Sequence, residues 1–166
     1  RIIAAVRRRG DSALVEYSQR FDAPDLTTAD IQVRPEEIAA AHSQVDRDFI
    51  QALDRAADQI ADFHRQQVGH SWIRTQRPGT LLGQLVNPVD AAGIYVPGGK
   101  EGKTPLVSSV LMGAIPARIA GVRRLAMATP PTRGGKVDPH LLVAADKAGV
   151  DAIYRVGSAW AIAALA

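Results

Sequence analysis

The sequence contains no cysteine, which excludes a disulfide framework and any thiolate metal site. Aromatics are nearly as scarce: two Trp, three Tyr and three Phe in 166 residues. A core must therefore be assembled mainly from Ala, Val, Ile and Leu, small side chains that let helices sit close on a sheet. A strong charge of one sign is also missing. Twenty basic residues against seventeen acidic ones leave a formal charge of +3, despite a pI near 9.6. Only Arg7, Arg8 and Arg9 form a tight basic run, and Gly10 and Asp11 interrupt it at once. A nucleic-acid surface gathers its charge on one face with aromatics interleaved, so no nucleic-acid partner is expected and the run reads as a solvated helix end. No apolar stretch is long enough to cross a bilayer and no leader pattern is visible. No membrane partner is expected, and a cytoplasmic location fits. Arg1 opens the chain and an apolar run closes it; both ends read as cut from something longer.

What is there is a change of pattern along the chain. Residues 1 to about 68 read as helical. Asp11 can cap a short helix carrying Leu14, Val15 and Phe21. Ile31 and Val33 alternate as in a short strand, and Pro35 opens a helix with Glu36 and Glu37 near its positive end. After Asp46, the apolar positions Phe49, Leu53, Ala56, Ile60 and Phe63 step by four and three along one face. That stripe demands a partner surface. Trp72 and Ile73, then Leu81, Leu82, Leu85 and Val86, flank Arg77-Pro78-Gly79 and predict a hairpin. A domain boundary is expected near residue 90, separating a helical region with a hairpin (1–90) from a second unit (91–166).

From Ala91 onward strands alternate with helices. Ala92 to Val96, Arg124 to Thr129 and Ala152 to Val156 are short, apolar and bounded by Gly or Pro, as buried parallel strands are. Helices are expected over about 105–120, 139–148 and from Ser158. The fold class is therefore α/β, with half of a doubly wound parallel sheet. The last helix is apolar all round and expects cover.

The segment Tyr95-Val96-Pro97-Gly98-Gly99-Lys100-Glu101-Gly102-Lys103-Thr104-Pro105 leaves a strand, is rich in glycine and opens a helix, features that suit phosphate binding. Gly102-Lys103-Thr104 resembles the end of the P-loop pattern G-x-x-x-x-G-K-S/T, but Pro97 stands where that pattern requires its first Gly. The strand at 124–129 also ends without the acid that would hold magnesium. No G-x-G-x-x-G fingerprint is present, nor an acid after the next strand. A strand-to-helix turn capped by Thr104, with Pro105 in the first turn, explains the same residues. Local spacing leaves ligand-binding loop and plain turn both open. Lys103 could approach a pyrophosphate or be a solvated loop lysine. His42, His64, His70 and His140 show no metal-ligand spacing, and Asp62 and His64 fall on different helix faces. They read as surface or packing residues, and no metal site is assigned.

Taken together, Gly93-Ile94-Tyr95-Val96-Pro97-Gly98-Gly99, Ser108-Ser109-Val110-Leu111-Met112 and Ile115-Pro116-Ala117-Arg118-Ile119-Ala120-Gly121 resemble the core signature of histidinol dehydrogenases. The likeness continues through Thr129-Pro130-Pro131, Ala144 to Val150 and Val156-Gly157-Ser158-Ala159-Trp160. Upstream, Arg9-Gly10-Asp11-Ser12-Ala13-Leu14, Tyr17-Ser18 and Phe21-Asp22 match the family's opening helix. The resemblance implies an incomplete Rossmann-like domain, NAD and zinc as cofactors, L-histidinol as substrate and a homodimer. It also implies that the zinc ligands and a Glu-His acid–base pair lie beyond these residues, so no catalytic residue is expected here. By the same resemblance Tyr95 contacts NAD, and Pro97, Gly98 and Gly99 shape its pocket through their backbone. Trp160 stands where many members carry a glutamine that contacts NAD. An indole stacks or donates one hydrogen bond but cannot also accept one, so cofactor contact and simple packing are both open. Two alternatives remain: a related zinc- and NAD-dependent dehydrogenase of another small alcohol, and a P-loop-like nucleotide-binding module.

Overall fold

The computed structural model describes residues 1–98 and 104–166. Five positions of the glycine-rich segment, Gly99 to Lys103, lie outside the described residues, and with them the expected roles of Gly99 and Lys103.

Three parallel strands, β3 (Ala91–Tyr95), β4 (Arg124–Ala128) and β5 (Ala152–Tyr154), lie side by side in the order of the chain. Ala91 pairs with Arg124 and Tyr95 with Ala128, while Ala126 pairs with Ala152 and Ala128 with Tyr154. All three therefore end at one edge. Strand alternation sends Ala92, Ile94, Leu125, Met127 and Ile153 into one core, shared with helices α5 (Val107–Ile119) and α6 (Pro139–Lys147). Tyr95, Ala128 and Tyr154 face the opposite side, under helix α7 (Ser158–Leu165).

The helical region expected ahead of the sheet covers both of its faces. Helices α1 (Ile2–Arg9) and α2 (Asp11–Phe21), separated at Gly10, pack with α7. Asp11 is the first residue of α2 rather than its cap; Gly10 holds the cap position. Helices α3 (Pro35–Ala41) and α4 (Arg47–Arg65) pack on α6 and α5. Asp46 caps α4 by accepting from the Phe49 amide at 2.6 Å, which leaves the apolar stripe aimed at α5. Leu53 is buried, and Phe49, Ala56 and Ile60 pack on the same core. The stripe thus finds its partner inside this chain, except for Phe63, which stays exposed.

Ile31 and Val33 are buried as alternation demands, but they form one bridge, Gln32 with Tyr154, instead of a strand. The Val33 amide donates to Ile153 O at 2.9 Å and the Arg155 amide to Ile31 O at 2.7 Å, which stitches this segment to the free side of β5. The hairpin forms as strands β1 (Trp72–Arg77) and β2 (Thr80–Gln84), paired antiparallel. Every residue of both strands is exposed. Helix α5 begins at Val107 with Leu106 in the cap position, so Thr104 and Pro105 precede it and do not cap it.

Candidate functional site

In an open parallel sheet the ligand crevice lies outside the carboxyl ends of the strands, where chain leaves toward helices on opposite faces. Here the chain leaves β3 and β4 toward α5 and α6, and leaves β5 toward α7 on the other face. That edge carries Tyr95, Val96, Pro97 and Gly98 after β3, Thr129 and Pro130 after β4, and Arg155, Val156 and Gly157 after β5.

These three strand ends converge on Pro130. A Cβ placed on Gly98 would lie 2.8 Å from Pro130 Cγ, and one on Gly157 would lie 2.7 Å from Pro130 Cβ and 3.2 Å from Asp22 Oδ2. Only glycine fits at either position without moving a neighbour. The turn into α7 then fixes Tyr95: the Ser158 amide donates to its hydroxyl oxygen at 2.9 Å. Ser158 holds φ at 54°, an uncommon conformation for a residue with a Cβ and a form of backbone strain that gathers at ligand sites. Tyr95 is half-buried, Pro97 is exposed and Gly98 lies between.

Several polar atoms at this edge are hidden from water and, among the described residues, have no hydrogen-bond partner: Asp22 Oδ2, Thr129 Oγ1, Trp160 Nε1 and, in α2, Ser18 Oγ. Buried polar groups are normally satisfied, and orphans are concentrated where a ligand, ion or water completes them. Burial pushes the Asp22 carboxyl above its ordinary range.

Trp160 is placed differently from the other expected site residues. It is only 6% exposed and stacks on Tyr17 and Phe21 of α2, with ring centroids 5.4 Å and 5.5 Å away. The geometry accounts for this indole by packing; its unpartnered Nε1 is the one atom left for a ligand. The structure thus brings Tyr95, Pro97 and Gly98 to one edge, with Trp160 beneath. It adds Asp22, Thr129, Pro130, Gly157 and Ser158, which sequence reasoning saw only as parts of matching motifs.

A second buried polar group lies behind this edge. The Arg155 side chain donates to Glu37 Oε1 of α3 and to Gly135 O. Although burial works the other way, hydrogen bonds from the Arg34 amide and from Arg155 hold the Glu37 carboxyl below its usual range. The histidines lie elsewhere. His42 pairs with Asp146 at 2.8 Å, His64 meets Gln67 at 2.6 Å, and His140 meets Asp138 at 2.9 Å and packs edge-on against Phe49.

The histidinol dehydrogenase family model matches residues 1–166, the whole chain. The chain belongs to the histidinol dehydrogenase family. Histidinol dehydrogenases from Desulfotalea psychrophila and Nitratidesulfovibrio vulgaris are each 54% identical to it over 165 residues, covering 99% of this chain and 38% of theirs. The crystal structure of histidinol dehydrogenase from Elizabethkingia anophelis superposes with a TM-score of 0.90 at 36% identity, covering 98% of this chain and 36% of that one. The chain thus spans just under two fifths of the length of these histidinol dehydrogenases. Membership in the family sets the P-loop alternative aside and fits a mixed α/β chain built on a parallel sheet. No helix among the described residues is long and apolar enough to cross a membrane.

Proposed function

We propose that this chain is the cofactor-binding side of a cytoplasmic, homodimeric histidinol dehydrogenase, which oxidises L-histidinol through its aldehyde to L-histidine with NAD and zinc. The observation that carries the reading is the convergence of three strand ends on Pro130, with glycine at both close approaches and Tyr95 pinned by the amide of Ser158. Such an edge lets backbone come close to a dinucleotide. Bound NAD would supply the hydride acceptor. The chain's part is to bind and orient it. Tyr95 offers a ring and a held hydroxyl, Pro97 and Gly98 shape the wall, and Trp160 supports the floor through its stack with Tyr17 and Phe21. The unit at 91–166 carries the strand ends, and the helical region at 1–90 encloses them.

Zinc stands differently. Among the described residues no three His, Cys, Asp or Glu side chains come together to hold a metal ion. The described residues do not fit a zinc site.

Titration calorimetry of the purified chain with NAD tests the reading. Saturable binding is expected, weakened about tenfold by Tyr95→Ala, the scale of one lost hydrogen bond and ring contact. Absence of NAD binding, or preferential binding of magnesium ATP, overturns it. The same preparation is expected to form no NADH from L-histidinol, with or without zinc; zinc-dependent NADH formation would refute the assignment of this chain to the cofactor side alone.

A further inference from the structure

A cavity of about 160 Å³ opens between α3 and the start of α6. Much of its wall is apolar: Val33, Ala41, Val137 and Leu142 are buried members of the main core. Four polar side chains line it as well, and they carry both signs of charge. Arg155 is buried and Glu37 half-buried, whereas Gln44 and Lys136 are exposed.

The protein uses only part of what the inner pair offers. A guanidinium carries five N–H donors. Among the described residues Arg155 gives one to Glu37 Oε1 and one, at 3.4 Å, to Gly135 O. Its Nε has no partner. The three hydrogen bonds that Glu37 accepts from Arg34 and Arg155 all fall on Oε1, so Oε2 has none among the described residues. This carboxylate is charged at neutral pH, because bonds from the Arg34 amide and Arg155 hold it low against the pull of burial. A buried ion pair offsets its desolvation well only when further hydrogen bonds satisfy its remaining lone pairs and protons. Here those positions are left open, and a cavity lies beside them.

The mixed charge decides what fits. A bare anion is drawn by Lys136 and Arg155 but repelled by Glu37, and a bare cation meets the opposite conflict. A zwitterion resolves both. Its carboxylate accepts from the two cations while its ammonium donates to Glu37 Oε2. The apolar wall then receives a short aliphatic side chain, and the volume suits a solute the size of alanine or valine.

We propose that this cavity is a binding site for a small aliphatic α-amino acid, held as its zwitterion between Glu37 and the cations Arg155 and Lys136. The site does not depend on what the strand-end edge binds. The test is calorimetric titration of the purified chain with L-alanine, L-valine, acetate, ethylammonium and phosphate, alongside thermal unfolding. One of the two amino acids is expected to bind at least tenfold more tightly than acetate or ethylammonium, each of which carries a single charge. Lys136→Glu should weaken that binding about tenfold, and Ala40→Leu, which fills the cavity from α3, should abolish it. Both replace exposed residues, so their unfolding midpoints should stay within a few degrees of the wild type. Acetate or phosphate binding as tightly as the amino acids would make the cavity an anion pocket and refute the proposal. Absence of saturable amino-acid binding overturns it, as does binding that neither variant weakens.

Discussion

At the scale of the residue, Trp160 separates packing from contact most sharply. The family resemblance puts this position against a nicotinamide cofactor, but the side chain is buried and stacks on Tyr17 and Phe21 of α2. Those three rings are three of only eight aromatics in the chain, and two of them, Trp160 and Tyr17, belong to the core under α7. Removing a buried aromatic costs about 3 kcal/mol or more through lost area and the cavity left behind. Trp160→Ala is therefore expected to lower the unfolding midpoint by roughly 6–12 °C for a chain of this size, read by circular dichroism. Trp160→Gln, which restores an amide able to donate and accept, should fall by a similar amount. An unchanged midpoint in both would mean that the indole serves the ligand and not the fold. The sequence could name this residue but not decide its role, because the stack depends on α2 and α7 meeting, a contact between opposite ends of the chain.

At the scale of the element, what was legible followed from short-range pattern. The three parallel strands were visible as apolar runs bounded by Gly or Pro, and the α4 stripe and the hairpin by their periods. The structure shortens the last strand to Ala152–Tyr154 and starts α5 at Val107, adjustments of a turn or less. Long-range pairing was not legible. Ile31 and Val33 alternate like a strand but only bridge β5: the bonds from Arg155 N to Ile31 O and from Val33 N to Ile153 O make that single bridge, and the chain turns into α3 at Pro35. Asp22 escaped notice as a site residue for the same reason: its neighbours at the strand ends are over 100 residues away. The Glu37–Arg155 pair is a third long-range link, and it ties α3 to the end of β5. Arg155 has only 8% of its side chain exposed and Glu37 30%, so removing one partner strands the other in a place where water screens it poorly. Arg155→Ala should cost about 2–3 kcal/mol at neutral pH. The Glu37 carboxyl titrates below its ordinary value of about 4.3. Its stabilising contribution is therefore complete above that value and is lost as pH falls through the lower native one. The penalty of Arg155→Ala should shrink below about pH 4, and denaturant midpoints across pH 3 to 7 would show it. A penalty constant over that range would mean that the arginine acts by packing alone.

At the scale of the whole molecule the exposed surface is 10691 Å², where a compact monomer of 17.7 kDa presents about 7,900 Å². Val68, Trp72, Ile73, Leu81, Leu82, Leu85, Val86 and Val89 are all exposed, and all lie within the hairpin and its flanks. An isolated two-stranded hairpin is marginal in water, and these strands contact mainly each other. The α4 stripe, by contrast, is covered within the chain except at Phe63, so the hairpin, with a smaller contribution from α7 where Ile162 is half exposed, carries the largest cluster of exposed apolar side chains among the described residues. An apolar area of this extent on a chain carrying a formal charge of only +3 gives little electrostatic repulsion against self-contact. The purified chain is therefore expected to self-associate in a concentration-dependent way in sedimentation velocity. Replacing Trp72, Ile73, Leu81 and Leu82 together with Thr or Gln should shift it toward monomer and leave the unfolding midpoint within a few degrees, because none of the four packs on the core. A wild-type chain that stays monomeric at high concentration would count against the hairpin as the sticky surface. So would a quadruple variant that loses its cooperative transition, since that would place the hairpin inside the folding unit rather than on its rim.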